Sequence, residues 1–286
     1  MSTHTHQIIS GLGGLPKVML TAADGASAEI YLHGAHLTSW IPAGGAERLF
    51  LSRASEFRAG AAIRGGVPIV FPQFSNFGPL PRHGFVRNTA WELMGVETTA
   101  EGQLTVKFSL SDSEATRNVW PHAFQIIFAV TIGGQQLRMK LSITNSSEAP
   151  FIFSCALHTY LQIADIHQTV IENLQDVRYL DQVNERREAI QGESLLPFNA
   201  RVDRVYFDAP ARVVVHEPQR QLSVAAEGFP DVVTWNPGAT LGATLPDLEP
   251  DGYRRMLCVE AAAIGRPITL APGPGGQWHG TQTLTT

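Results

Sequence analysis

The stretch Phe124-Gln125-Ile126-Ile127-Phe128-Ala129-Val130-Thr131-Ile132-Gly133-Gly134-Gln135-Gln136-Leu137-Arg138-Met139-Lys140-Leu141-Ser142-Ile143-Thr144 decides the fold. Apolar residues recur at every second position on both sides of Gly133-Gly134. A period of two places alternate side chains on one face of an extended strand, so each run has one face to bury. Two adjacent glycines tolerate the positive φ angles that tight hairpins need. The reading is a hairpin, Phe124–Ile132 against Gln135–Thr144.

The same rhythm extends in both directions. It runs through Glu29–His33, Leu37–Pro42, Trp91–Glu97 and Leu104–Leu110, bounded by turn signals such as Ala43-Gly44-Gly45 and Glu101-Gly102. It resumes at Pro150–Ile163, Thr169–Asn173, Ser194–Pro197, Arg212–His216, Leu222–Ala226, Val232–Trp235, Met256–Ile264 and Ile268–Ala271. Only Asp112–Asn118 and Ala243–Leu248 suggest single helical turns. The expectation is an all-β chain, a large antiparallel β-sandwich. With no linker or break in composition, residues 1–286 read as one domain, and residues 1–10 as a flexible tail.

Composition narrows the function classes. The chain has 286 residues, 44% hydrophobic and only 16% charged, which fits an ordered globular protein. A net charge of -5 without a basic run excludes a wide nucleic-acid or anionic-membrane surface. An anionic ligand must be small and met by a local arginine cluster. Two cysteines, Cys155 and Cys258, are no disulfide framework and point to a reducing cytoplasm. No signal-peptide pattern opens the chain, and no run of 18 apolar residues spans a membrane. His4 and His6 read as solvated rather than metal-binding, and a monomer is the default state.

Four stretches carry chemistry. Arg64-Gly65-Gly66-Val67-Pro68 leaves a guanidinium beside two glycines that permit close backbone approach to a ligand; an ordinary surface arginine reads equally well. Arg82-His83-Gly84-Phe85-Val86-Arg87 packs two arginines and a histidine into six residues, which suits the fork-like pairing of a phosphate. His83 there is either a ligand contact or, the favoured reading, a loop histidine bonded to backbone. In Phe151–Ile163, Phe151, Phe153, Cys155 and Leu157 form a core face. Ser154, Ala156, His158 and Tyr160 share the other, leaving room beside His158. In Met256–Ile264, Glu260 stands among apolar residues and needs either a distant arginine or a pocket. Burial would raise its pKa towards that of a general base.

Two further positions are weaker. Asp203 suits sugar hydroxyls or an ion pair with Arg201 or Arg204, and Trp235 suits a sugar face or the core. No phosphate loop, GxSxG elbow, zinc spacing or dinucleotide fingerprint is present, which leaves acid–base chemistry.

With Arg-Gly-Gly-Val-Pro, His-Gly-Phe-Val-Arg, Leu-His-Thr-Tyr and Cys-Val-Glu in that order, residues 30–275 resemble the hexose-6-phosphate mutarotases of the aldose 1-epimerase, galactose-mutarotase-like superfamily. The resemblance implies a β-supersandwich with His158 as general acid and Glu260 as general base. It implies Arg64 and Arg87 near a substrate phosphate and Asp203 on sugar hydroxyls. Arg82 stands where relatives often carry glutamine, and it adds a cation. The implied reaction opens the sugar ring and recloses it as the other anomer, needing no metal or redox cofactor. The partner is a small sugar phosphate. The rivals are an epimerase of unphosphorylated aldoses and a carbohydrate-binding sandwich without catalysis.

Overall fold

The Gly133-Gly134 hairpin forms as expected, in register from Phe124↔Asn145 to Gly133↔Gln136. In the computed structural model, which describes residues 5–273 and 275–286, it is one of many such pairings. The first strands are β1 (Thr5–Ser10), β2 (Pro16–Thr21), β3 (Ser27–Tyr31), β4 (His36–Ile41), β5 (Ile69–Val70), β6 (Glu92–Thr98) and β7 (Leu104–Ser111). Next come β8 (Phe124–Gly133), β9 (Gln136–Asn145), β10 (Phe151–Leu157), β11 (Tyr160–Gln162), β12 (Val170–Glu172), β13 (Arg178–Asp181) and β14 (Arg187–Ile190). The last are β15 (Leu195–Pro197), β16 (Val202–Tyr206), β17 (Arg212–Glu217), β18 (Arg220–Glu227), β19 (Asp231–Asn236), β20 (Met256–Leu270) and β21 (Gln277–Thr285). Helices are short: α1 is Glu114–Val119 and α2 is Gly238–Gly242. No helix among the described residues is long and apolar enough to cross a membrane.

These strands build three sheets, ordered β1-β2-β3-β4, β14-β13-β16-β19-β20-β10-β5 with β11 also on β20, and β15-β12-β17-β18-β21-β9-β8-β7-β6. Their pairings are antiparallel. The all-β expectation of a large antiparallel sandwich is met. The main apolar core takes side chains from all three sheets, among them Leu37 of β4, Phe128 of β8, Leu157 of β10 and Val259 of β20. Alternation leaves the other face of the β10–β20 region to two smaller clusters. One holds Ala156, Val233 and Ala262, the other Tyr160, Cys258 and Leu248. The candidate site lies on that second face.

Several strands differ from the sequence reading. Residues 5–10 of the expected tail form β1, bonded to β2 from Thr5↔Thr21 to Ser10↔Pro16. Five of its six residues are exposed, so it has no buried face for alternation to reveal. Residues 1–4, His4 included, lie outside the described residues. Met256–Ile264 and Ile268–Ala271 are one long strand, β20, while Pro150–Ile163 is two, interrupted at His158-Thr159. The helix near the second expected turn precedes it, at Gly238–Gly242.

The segment before β5 has to thread between other backbones. Gly65 and Gly66 adopt φ of 114° and 59°, and a Cβ on Gly66 would sit 2.2 Å from the Leu37 carbonyl oxygen. The close approach made possible by these glycines is therefore to protein backbone, at Phe50 and Leu37, rather than to a ligand. The Gly66 carbonyl in turn accepts the Tyr160 N–H at 2.9 Å, which ties the segment to the site strands. Gly66→Ala combines a strained φ with a backbone clash, and it is expected to destabilise the fold by more than ~2 kcal/mol, read as a lower denaturant midpoint.

Candidate active site

Register alone brings most of the site together. β16, β19 and β20 align Val205, Val233 and Glu260 in one cross-strand row and Asp203, Trp235 and Cys258 in the next. Tyr160 of β11 pairs with Cys258, and Leu157 of β10 pairs with Ala261. These two pairings share one register, so the intervening His158 falls opposite Glu260. Directly opposed residues of an antiparallel pair project to the same face. His158 Nε2 accordingly lies 3.3 Å from Glu260 Oε1, with the residues 8% and 1% exposed.

Loops complete a cavity of about 420 Å³ above this face. All six residues singled out from the sequence line it: His158, Glu260, Arg64, Arg82, Arg87 and Asp203. Arg64 comes from the segment before β5, and Arg82 and Arg87 from the connection to β6. With Arg201, four arginines face two carboxylates, so the lining favours an anion.

The His158–Glu260 pair is held away from water. Burial pushes the Glu260 carboxyl well above its ordinary value, the Asp203 charge adds to this, and Arg87 opposes it. Burial likewise pushes the His158 imidazole well below its ordinary value, helped by the positive charges of Arg87 and Arg64. His158 stacks on Tyr160, with centroids 4.8 Å apart at 13°, and meets Trp235 edge-on. The far atoms of the pair, His158 Nδ1 and Glu260 Oε2, take no hydrogen bond from the protein. Buried polar atoms normally have partners, so these two are exceptions within a pair whose residues line the cavity.

The arginines are not equivalent. Arg64 does not stay free: Nε and NH2 both donate to Asp247 at 3.1 Å, and NH1 donates to the Tyr160 hydroxyl at 2.9 Å. The reading of an arginine with a protein partner is met, and the same side chain lines the cavity. Arg87 donates through NH2 to the Arg82 carbonyl at 3.1 Å, while its buried Nε has no partner. Arg82 is exposed at the rim. Asp203 accepts from Gln182 Nε2 at 2.6 Å and stands 3.5 Å from Arg201, whereas Arg204 turns to Asp181.

His83 is bonded to backbone, as the favoured reading has it, and its ring also lines the cavity. The Ser75 N–H donates to its Nδ1 at 3.3 Å, and the ring lines the cavity edge-on to His158 at 5.5 Å. Burial first, then His158 and the arginines, hold it far below the ordinary histidine range. A neutral ring that accepts at Nδ1 carries its proton on Nε2. Cys155 lies in the main core with its thiol pushed up by burial, as its strand face implies.

Sequence reasoning missed Gln182 and Arg201 as cavity residues, Asp247 as a partner, and the contacts of Tyr160 with Arg64 and His158. Tyr160 was readable, two residues from His158 on the same face. Gln182 and Asp247 sit in loops without any periodic signal. A larger cleft of about 580 Å³ adjoins the cavity, sharing Arg201 and Leu241, and it contains none of the six residues singled out from the sequence. Among the described residues no cluster of three or more His, Cys, Asp or Glu side chains could hold a metal.

Known proteins share this arrangement of strands. A protein of Cenchrus ciliaris, provisionally named glucose-6-phosphate 1-epimerase, is 35% identical over 98% of this chain and 87% of its own length. An Escherichia coli K12 protein with the same provisional name is 37% identical over 82% of this chain and 79% of its own. A crystal structure from Salmonella typhimurium, described provisionally as a mutarotase, superposes with a TM-score of 0.87. It is 31% identical, covering 98% of this chain and 96% of that one. The aldose 1-epimerase family model matches residues 16–282, which takes in both strands of the buried His158–Glu260 pair and every arginine of the cavity, and the chain belongs to that family.

Proposed function

We propose that the chain interconverts the α and β anomers of a hexose 6-phosphate, glucose 6-phosphate first among them, with His158 and Glu260 as acid and base. The observation that carries this reading is the 3.3 Å contact between the two, buried in a cavity walled by four arginines. Sugar anomers exchange through the open-chain aldehyde. The Glu260 carboxylate takes the proton of the anomeric hydroxyl while the His158 imidazolium gives one to the ring oxygen. The C1–O5 bond breaks and a C1 carbonyl forms. After rotation about C1–C2, Glu260 returns its proton to the carbonyl oxygen and His158 recovers one from the C5 hydroxyl.

The pair thus uses two states, carboxylate with imidazolium before ring opening and carboxylic acid with imidazole after it. In water the first is strongly preferred. Burial disfavours both charges, raising the carboxyl and lowering the imidazole, and so brings the two states closer in energy. Shifts of these signs ease the proton exchange that each cycle requires of the pair. Arg87 and Arg82 meet the phosphate, Arg64 adds its remaining donors, and Asp203 accepts from sugar hydroxyls. The names of the two relatives support the phosphate ester. The setting is a reducing cytoplasm and the form a single-domain monomer; the free, buried thiols of Cys155 and Cys258 support the first.

Magnetisation-exchange NMR on the anomeric signals tests the substrate. Exchange of glucose 6-phosphate should accelerate at enzyme concentrations that leave free glucose unchanged. Equal acceleration of both moves the assignment to unphosphorylated aldoses. Binding without acceleration leaves a carbohydrate-binding sandwich.

A further inference from the structure

We infer that Gln282, on a strand of the nine-stranded sheet, is a positioning residue that sets His158 against Glu260 by repairing a deliberate gap in the ladder between them. The inference rests on the reading that this pair carries the reaction. His158 sits at the centre of a three-residue turn in which the Thr159 N–H donates to the Leu157 carbonyl at 2.9 Å. In an unbroken antiparallel ladder Thr159 and Val259 would exchange two hydrogen bonds. Only one is present, from the Val259 N–H to the Thr159 carbonyl at 3.0 Å. The turn at His158 therefore strips the Val259 carbonyl of its backbone donor.

Gln282 supplies the missing donor. Its Nε2 donates to the Val259 carbonyl at 3.0 Å, and its Oε1 accepts from the Thr159 hydroxyl at 2.5 Å. One amide thus grips the residue after His158 and the residue before Glu260. Gln282 and Thr159 are both fully buried. The strand neighbours of Gln282 are Ala226 and Met139, so an apolar side chain would pack there without a desolvation penalty. The amide is explained by what it bonds, since an unpaired buried carbonyl costs about 1–3 kcal/mol. Its location on a different sheet means the separation of the pair is governed from across the core.

The test compares Gln282→Met, Thr159→Val, Gln282→Glu and Glu260→Gln by exchange NMR on glucose 6-phosphate. Methionine keeps the volume and removes both hydrogen bonds. Its kcat should fall by about 10- to 100-fold with KM unchanged, since small misplacements of catalytic groups have effects of that order. The limbs of its pH–rate profile should also move, because the contact between the two titrating groups changes. A buried, protonated glutamate can donate and accept as the amide does. Gln282→Glu should therefore recover much of the loss, and the recovery should fade as pH rises and the acid ionises. Thr159→Val should give a smaller loss of the same kind, and it carries the test if Gln282→Met does not fold. Wild-type kcat and pH profile in a destabilised Gln282→Met or Thr159→Val, with Glu260→Gln inactive, overturns the inference alone. Full activity in Glu260→Gln overturns the underlying reading instead.

Discussion

Glu260→Gln lowers the rate of glucose 6-phosphate anomer exchange by about 10³-fold and raises the melting temperature in the same protein. The first effect is the usual magnitude for removing a positioned general base. The second follows from burial. Glu260 is 1% exposed, and its carboxyl is held well above the ordinary value of 4.5. Below that value both folded and unfolded chains keep the proton and the carboxyl contributes its full stability. As pH rises, the unfolded chain releases its proton while the folded chain retains it, so wild-type stability falls until the folded value is passed. Glutamine does not titrate, so the variant's advantage in melting temperature should be small near pH 4 and widen as pH rises from there. Exchange NMR and thermal melts across that range check both halves. Wild-type turnover removes Glu260 from the mechanism, and a pH-independent difference in melting temperature removes burial as the cause of its shift.

Arg87→Ala raises KM for glucose 6-phosphate by about 10- to 100-fold and leaves turnover of any free sugar unaltered. Hydrogen bonds to a charged group are worth about 1.5–3 kcal/mol, which sets that range. Arg87 has an unpartnered Nε, whereas Arg64 already commits Nε, NH1 and NH2 to Asp247 and Tyr160. Arg64→Ala should accordingly cost less in phosphate affinity and more in stability, because it leaves Asp247 without its partner. Saturation curves for glucose 6-phosphate and glucose, with both variants, make the comparison. A loss in Arg87→Ala that is equal for the two sugars would remove the phosphate contact from this arginine.

The strands that carry the pair were legible because their two faces differ. Phe151, Phe153, Cys155 and Leu157 alternate with smaller or polar residues, and Glu260 interrupts a run of apolar ones. That contrast revealed both catalytic candidates and the face they share. β21 was not legible, and Gln282 is part of the reason: with Gly280 it replaces bulky apolar residues at buried positions, so the strand lacks its alternating signal. Arg64 was legible as a candidate, but not its partnership with Asp247, which lies 183 residues away in sequence. Local patterning reports which side chains a strand buries. Long-range pairing depends on how loops return over the sheet, and no local period encodes that.

His158 and Glu260 owe their contact to strand register, while three of the cavity's arginines, Arg64, Arg82 and Arg87, arrive on connecting segments. Reactivity and address are thus written in separate parts of the chain. A one-residue slip of β20 would turn Glu260 into the core and away from His158, so this half tolerates almost no drift. The address is under no such constraint. Such a sandwich can be retooled for a differently decorated sugar by exchanging loops, with ring opening inherited intact from the sheet beneath.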